Sequence, residues 1–332
     1  MRLAACTAPK RHELTSALLA QGRTGTISWG EHVGNELYRT GEQLFDFFTP
    51  PPIGSHRPYF IPTLTAVLVL LFFFMAGQYG QYQALVNPSA TICLAAMQGN
   101  GTAPGWGPRG MVTWIAPQQH QWCFGGKGAG KFDTQFLIGW GARWAPAMRH
   151  SPERWLTPAL LHNSFSHLLG NALLLLAIGL LMEVKHGTWR IAAIAVLSAV
   201  AANLLSAVTE APCTAVVGAS GVVFGMAGLM IADMILNFET LMRPLLRSLA
   251  MMALLVYFAA TVGTTATGTS HMSHVGGFLG GLLPGLVLLP NLHRGRGEAA
   301  VTVVAALGCV AIFVTLPLIF YLRQLPGICC GC

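Results

Sequence analysis

Seven stretches of this chain each offer roughly 20 mostly apolar residues, the length a helix needs to cross the hydrocarbon core of a bilayer. They fall at about Tyr59–Gly77, Leu156–Met182, Trp189–Val208, Ala215–Leu236, Ser248–Gly263, His271–Pro290 and Ala299–Leu322. Lipid offers the backbone no hydrogen-bond partners, so each span must satisfy its own N–H and C=O groups as a helix. The expected fold is therefore all-α, a polytopic membrane helical bundle. Composition agrees, with 53% of the 332 residues hydrophobic and 9% charged, against roughly 25% charged in soluble domains. The net charge of +7 forms no basic stripe, which argues against nucleic acid as a partner.

The positive charges instead report topology, because short cytoplasmic loops collect Lys and Arg. The loops after the second, fourth and sixth spans carry Lys185 and Arg190, Arg243 and Arg247, and Arg294 and Arg296, whereas the loops after the third and fifth carry none. This orientation makes residues 1–58 a cytoplasmic N-terminal segment and residues 323–332 a short extracytoplasmic tail. The N-terminal segment lacks the early apolar run of a signal peptide. Residues 81–155 become a long extracytoplasmic loop holding six of the eight tryptophans: Trp106, Trp114, Trp122, Trp140, Trp144 and Trp155. Tryptophan suits the membrane–water interface, with an apolar ring and an N–H that wants a partner. The same residues also fit a small folded loop with a core of its own. Cys93, Cys123, Cys213 and the cluster Cys329-Cys330-Gly331-Cys332 all fall outside. There a Cys93–Cys123 disulfide and free thiols both fit, and the terminal cluster fits either lipidation or metal binding. Asn100-Gly101-Thr102 is a glycosylation sequon.

Two polar motifs break the apolar pattern. Gly218-Ala219-Ser220-Gly221 opens the fourth span, and His271-Met272-Ser273-His274-Val275-Gly276-Gly277 opens the sixth. Polar side chains inside a membrane are costly and tend to face the bundle interior or a water-filled cavity. Both spans run from outside to cytoplasm, which puts Ser220 and His274 at similar depth below the outer surface. The second span runs the same way and adds His162, Asn163, Ser164, Ser166, His167 and Asn171, of which His167 and Asn171 share a helix face.

These residue types fit a nucleophile and its base. A serine hydroxyl attacks a carbonyl only when a neighbouring group takes its proton, and neutral imidazole does so near pH 7. The developing oxyanion needs donors already in place, which His167, the Asn171 amide and the Ser220 backbone N–H at a helix N-terminus can supply. Gly277, Gly281 and Gly285 recur every four residues on the sixth span, as do Gly221 and Gly225 on the fourth. Small residues at this spacing let membrane helices approach closely. Phe224, one turn below Ser220, is placed to pack on the imidazole. His162 and His271 read as interfacial or cavity residues with no main role.

At these residues the chain resembles the rhomboid family of intramembrane serine proteases. The family's Gly-x-Ser-Gly stands at Gly218-Ala219-Ser220-Gly221, and its histidine with glycines three and seven residues later stands at His274, Gly277 and Gly281. The second-span pattern stands at His162, His167 and Asn171, led in by Thr157-Pro158-Ala159-Leu160-Leu161. The resemblance covers about Gly139 to Pro290. It implies a six-helix core with a seventh C-terminal transmembrane helix at 299–322, together spanning 59–322, an arrangement similar to that of eukaryotic secretory-pathway members at the Golgi or plasma membrane. It further implies Ser220 as nucleophile, His274 as general base, and His167 and Asn171 as oxyanion stabilisers, with Gly218, Gly221, Phe224, Gly277 and Gly281 in support. The implied substrates are single-pass transmembrane proteins cut near the outer end of their helix, with no metal and no organic cofactor. One position departs: the family's Trp-Arg pair appears as Glu153-Arg154. A proteolytically inactive relative that binds or traffics membrane clients is the alternative. A proton-coupled transporter is a further one, whose clearest acidic candidate is Asp233. Nothing in the sequence sets an oligomeric state.

Overall fold

A computed structural model describes residues 56–86, 131–237, 256, 270–289 and 296–323. All of these lie within one compact unit, Phe48–Cys332. The fifth predicted span (apart from Val256), the first 55 residues, Cys93, Cys123, the Asn100 sequon and the terminal cysteines lie outside the described residues.

Among the described residues the regular structure is helical. We label the helices α1 (Phe60–Val86), α2 (Thr134–Trp140), α3 (Ala145–Met148), α4 (Phe165–His186), α5 (Thr188–Thr209), α6 (Ser220–Leu236) and α7 (His271–Leu288). The last, α8, runs from Arg296–Val310 through a π-helical turn at Ala311–Thr315 into Leu316–Leu322. A second π-helical turn interrupts α4 at Leu175–Gly179. Four helices, α1, α4, α5 and α8, are long and apolar enough to cross a membrane, and α6 is a shorter apolar helix.

Three predicted boundaries move. The first helix runs on to Val86, beyond the predicted end of its span at Gly77, while the part of it apolar enough to cross a membrane is Phe60–Gly80; α2 and α3 lie within the 81–155 stretch. The second span starts at Phe165 and not at Leu156. Residues Thr157–Leu160 form a 3-10 turn built around Pro158, and Ser164 caps α4 by accepting the His167 N–H. Leu161 is buried by lateral packing, so its hydropathy reflects the core and not a crossing helix. The fourth span starts at Ser220 and not at Ala215, because Val216 is held extended in a two-way backbone pair with Arg143.

The register of close contacts gives the helix directions. A Cβ on Gly277 would meet the Gly221 carbonyl O at 2.1 Å, and one on Gly281 the Gly225 carbonyl O at 1.8 Å. Contact positions rise together along α6 and α7, so these helices are parallel and in backbone contact. The other glycine face of α7 meets α5, where a Cβ on Gly276 would strike the Ala201 carbonyl and one on Gly280 the Ser198 Cα. There the positions run in opposite senses, so α7 is wedged between a parallel and an antiparallel neighbour. Only residues without side chains allow this approach, and dispersion between the touching backbones holds it.

Charged groups fix the ends. The Glu183 carboxylate accepts the N–H groups of Tyr59, Phe60 and Ile61 at 2.8, 2.7 and 2.8 Å and the Thr188 hydroxyl at 2.7 Å. These N–H groups have no carbonyl a turn earlier, and an anion there also suits the helix dipole. Asp233 is buried in α6, where it accepts from Lys185 and, at 2.8 Å, from Asn237, with His186 3.4 Å away. At the opposite end, Phe320 of α8 packs on Ala145, Met148 and Ala207. Arg149 donates to the Phe320 carbonyl at 3.1 Å and to that of Arg323. Trp140 is buried against Phe74 and Phe136, so this tryptophan belongs to a protein core and not to an interfacial belt.

Candidate active site

The site forms where the N-termini of α4, α6 and α7 converge. Ser220 is the first residue of α6, and its Oγ lies 3.0 Å from Nε2 of His274, in the first turn of α7. The Phe224 ring stacks on the His274 imidazole, with centroids 4.5 Å apart and planes 13° from parallel. That contact leaves the ring few rotamers other than the one aimed at Ser220. His274 is buried and Ser220 half-buried, so the imidazole is largely desolvated.

The turn before Ser220 brings in the second helix. Gly218 has φ of +134°, a backbone region that L side chains rarely adopt. A Cβ there would also lie 2.7 Å from His167 Cε1, 2.9 Å from His167 Nε2 and 3.6 Å from Asn171 Nδ2. The absence of a side chain thus lets the His167 ring and the Asn171 amide approach the turn that carries the hydroxyl. Asn171 is 6% exposed, and its Nδ2 has no hydrogen-bond partner among the described residues. That amide is a donor close to the Gly218 turn.

His167 Nδ1 lies 3.1 Å from Asn163 Oδ1. As placed, Nδ1 donates to that oxygen, which leaves Nε2 of a neutral ring an acceptor; Nε2 becomes a donor when the Asn163 amide turns its NH₂ to Nδ1 or when the ring is protonated. His162, assigned no main role from sequence, has a structural one. It is wholly buried, and its Nε2 accepts the Ala219 N–H at 3.3 Å, one residue before Ser220. Burial, with a smaller effect from neighbouring His167, pushes its pKa down to about 3, which keeps that nitrogen an acceptor.

The structure therefore brings Ser220, His274, Phe224, Gly218, His167 and Asn171 to one place, with Gly221, Gly277 and Gly281 at the contact below it. Among the described residues no group of three or more His, Cys, Asp or Glu side chains is arranged to hold a metal. The Rhomboid domain model matches residues 149–291. Over those residues the chain is similar to the rhomboid family. Rhomboid-related protein 1 of Caenorhabditis elegans is 30% identical over 54% of this chain and 52% of its own length. RHOMBOID-like protein 5 of Arabidopsis thaliana is 35% identical over 41% of this chain and 45% of its own. Rhomboid-like protease 3 of Toxoplasma gondii is 34% identical over 43% and 54%. The chain spans about half the length of the curated relatives it matches.

Within the rhomboid domain, the departure at Glu153 sits at an exposed position. Arg154 donates from Nη1 to the Ala142 carbonyl at 2.8 Å, and Thr157 Oγ1 donates to that of Gly141 at 2.7 Å. Those two bonds hold the loop without a ring at 153. Sequence reasoning missed Arg143 and Glu210, an ion pair at 2.6 Å next to the site. No spacing rule links a loop arginine to a carboxylate 67 residues later.

Proposed function

We propose that this protein is an intramembrane serine endopeptidase working through a Ser220–His274 dyad. The observation that carries the reading is the 3.0 Å approach of Ser220 Oγ to His274 Nε2 beneath a stacked Phe224, beside the unpartnered Asn171 amide. Relatives named as proteases support it. In the first step Nε2 takes the hydroxyl proton as Oγ bonds to the substrate carbonyl carbon, and charge develops on the carbonyl oxygen. The Ser220 N–H, His167 and the Asn171 amide donate to that oxygen. The imidazolium then protonates the departing amide nitrogen as the C–N bond breaks, leaving an acyl-enzyme. His274 next takes a proton from water as the water attacks the ester, and returns it to Ser220 Oγ.

The substrates under this reading are single-pass membrane proteins, cut near the outer end of their transmembrane helix in the secretory pathway. Because helical carbonyls are already bonded, the scissile segment must unwind before attack. An outward-facing site is supported by Cys213, which is disulfide-bonded in the loop between α5 and α6 and therefore fits an oxidising compartment. The acidic candidate of the transporter alternative, Asp233, is paired with Lys185, which favours the protease reading. The test is cleavage of a tagged single-pass reporter by membranes carrying wild type, Ser220→Ala or His274→Ala. Both substitutions are expected to abolish the product, and cleavage surviving Ser220→Ala would sink the assignment.

A further inference from the structure

Arg143 and Glu210 lie outside the dyad and its oxyanion donors, yet between them they bond to the segment that leads into α6 and to the cap and first turn of α7. Glu210 follows the last turn of α5, where its N–H bonds to the Ser206 carbonyl at 3.0 Å. Its carboxylate accepts from Arg143 Nη2 at 2.6 Å, Ser206 Oγ at 2.7 Å, Ser270 Oγ at 2.8 Å and the Met272 N–H at 3.2 Å. Ser270 is the N-cap of α7, and its Oγ accepts the Ser273 N–H at 3.1 Å. One carboxylate thus binds both the cap and the first turn of the helix on which His274 sits.

Arg143 makes the complementary connection to Ser220. Its Nη1 donates to the Thr214 carbonyl at 3.0 Å, and its backbone exchanges bonds with Val216 at 2.9 and 3.0 Å. Thr214 and Val216 lead directly into the Gly218 turn. Arg143 is fully buried, with its partner 20% exposed, so water competes little for these bonds.

We infer that the Arg143–Glu210 pair is a positioning clamp that sets the Ser220–His274 distance by holding the starts of α6 and α7 to one ion pair. This rests on the protease reading above. Glycine contacts fix how closely the two helices pack, but parallel glycine faces tolerate sliding along the shared axis. The clamp supplies the axial stop: Thr214 and Val216 set the depth of Ser220, and Glu210 through Ser270 and Met272 sets that of His274.

The test uses full-length protein in detergent with a fluorophosphonate probe, which reports serine reactivity without a protein substrate, alongside kcat and KM on the reporter. Glu210→Gln keeps the side chain's size but removes its charge, and it is expected to lower both the labelling rate and kcat at least tenfold with KM within twofold. Ser270→Ala keeps the ion pair and cuts only the link to α7; it is expected to lower labelling three- to tenfold, and it stands in if Glu210→Gln does not fold. Rates are expressed per folded molecule, from the melting curve and the monodisperse fraction. Labelling of both folded variants at the wild-type rate overturns the clamp, as does a change confined to KM. A wild-type protein that takes no probe, and cleaves no reporter, overturns the protease reading itself.

Discussion

The sharpest perturbation of the helix contact beneath the site is Gly281→Ala. A Cβ there would sit 1.8 Å from the Gly225 carbonyl O, 2.5 Å from its C and 2.7 Å from its Cα. All three are backbone atoms, so no rotamer relieves the overlap. Carbon and carbonyl oxygen settle at about 3.3 Å or more, so α6 and α7 must part by about 1.5 Å. Passed two turns up to the site, even half of that stretches the Ser220–His274 hydrogen bond beyond the range in which a proton transfers readily. Overpacking of this kind costs about 1–3 kcal/mol in stability, while losing the base from its nucleophile removes on the order of 10²–10⁴ in rate. Activity should therefore fall much further than the melting temperature. Gly170→Ala is the control, because a Cβ there would meet nothing within 4 Å. The assay is probe labelling with parallel thermal melts in detergent. Gly281→Ala labelling at the wild-type rate would refute the argument that backbone contact sets the dyad distance.

Four further outcomes follow from the same geometry. Asn171→Ala should slow turnover by on the order of 10²-fold, as when an oxyanion donor is removed, with KM little changed; an unaltered kcat in purified protein removes Asn171 from the site. Asp233→Asn leaves Lys185 buried without its counter-charge and should cost about 3–5 kcal/mol. Adding Lys185→Met should recover most of that loss, and melts showing no recovery would count against the pairing. For His162, a folded pKa of about 3 lies below the unfolded one of roughly 6.5, so the unfolded chain binds more protons between those values. Stability should fall as pH drops through that window, by an amount smaller in His162→Gln, which unfolding curves at pH 4 and 7 can resolve. Cys213 should resist alkylation in denatured protein until a reductant is added, whereas Cys309, a free thiol, should react at once; prompt modification of Cys213 would remove its disulfide.

What the sequence revealed and what it hid have a common physical cause. Ser220, His274 and Asn171 were legible because each sets a polar group against an apolar helix, and that cost is visible in one dimension. Glycines at four-residue spacing were legible because helical periodicity maps them onto one face. The start of α4 was not, since the residues around Pro158 and Leu161 are apolar for lateral packing and hydropathy does not separate that from membrane crossing. Glu183 capping α1 and Glu210 capping α7 were hidden for another reason. Each satisfies N–H groups more than sixty residues away in sequence, and no local pattern encodes such a bond.

Two polar clusters inside the bundle look alike in composition and differ in what they leave open. At Asp233 the buried charge is answered by Lys185, with Asn237 donating to the same carboxylate, so a visiting group would have to displace a bond already made. Near Ser220 the reverse holds. A buried Asn171 donor has no partner among the described residues, a glycine at φ of +134° keeps the approach clear, and Ser220 is half-buried. A donor gains most from an acceptor that is charged. Under the protease reading, the Asn171 donor suits an oxyanion, whereas the Lys185–Asp233 ion pair suits holding helices together.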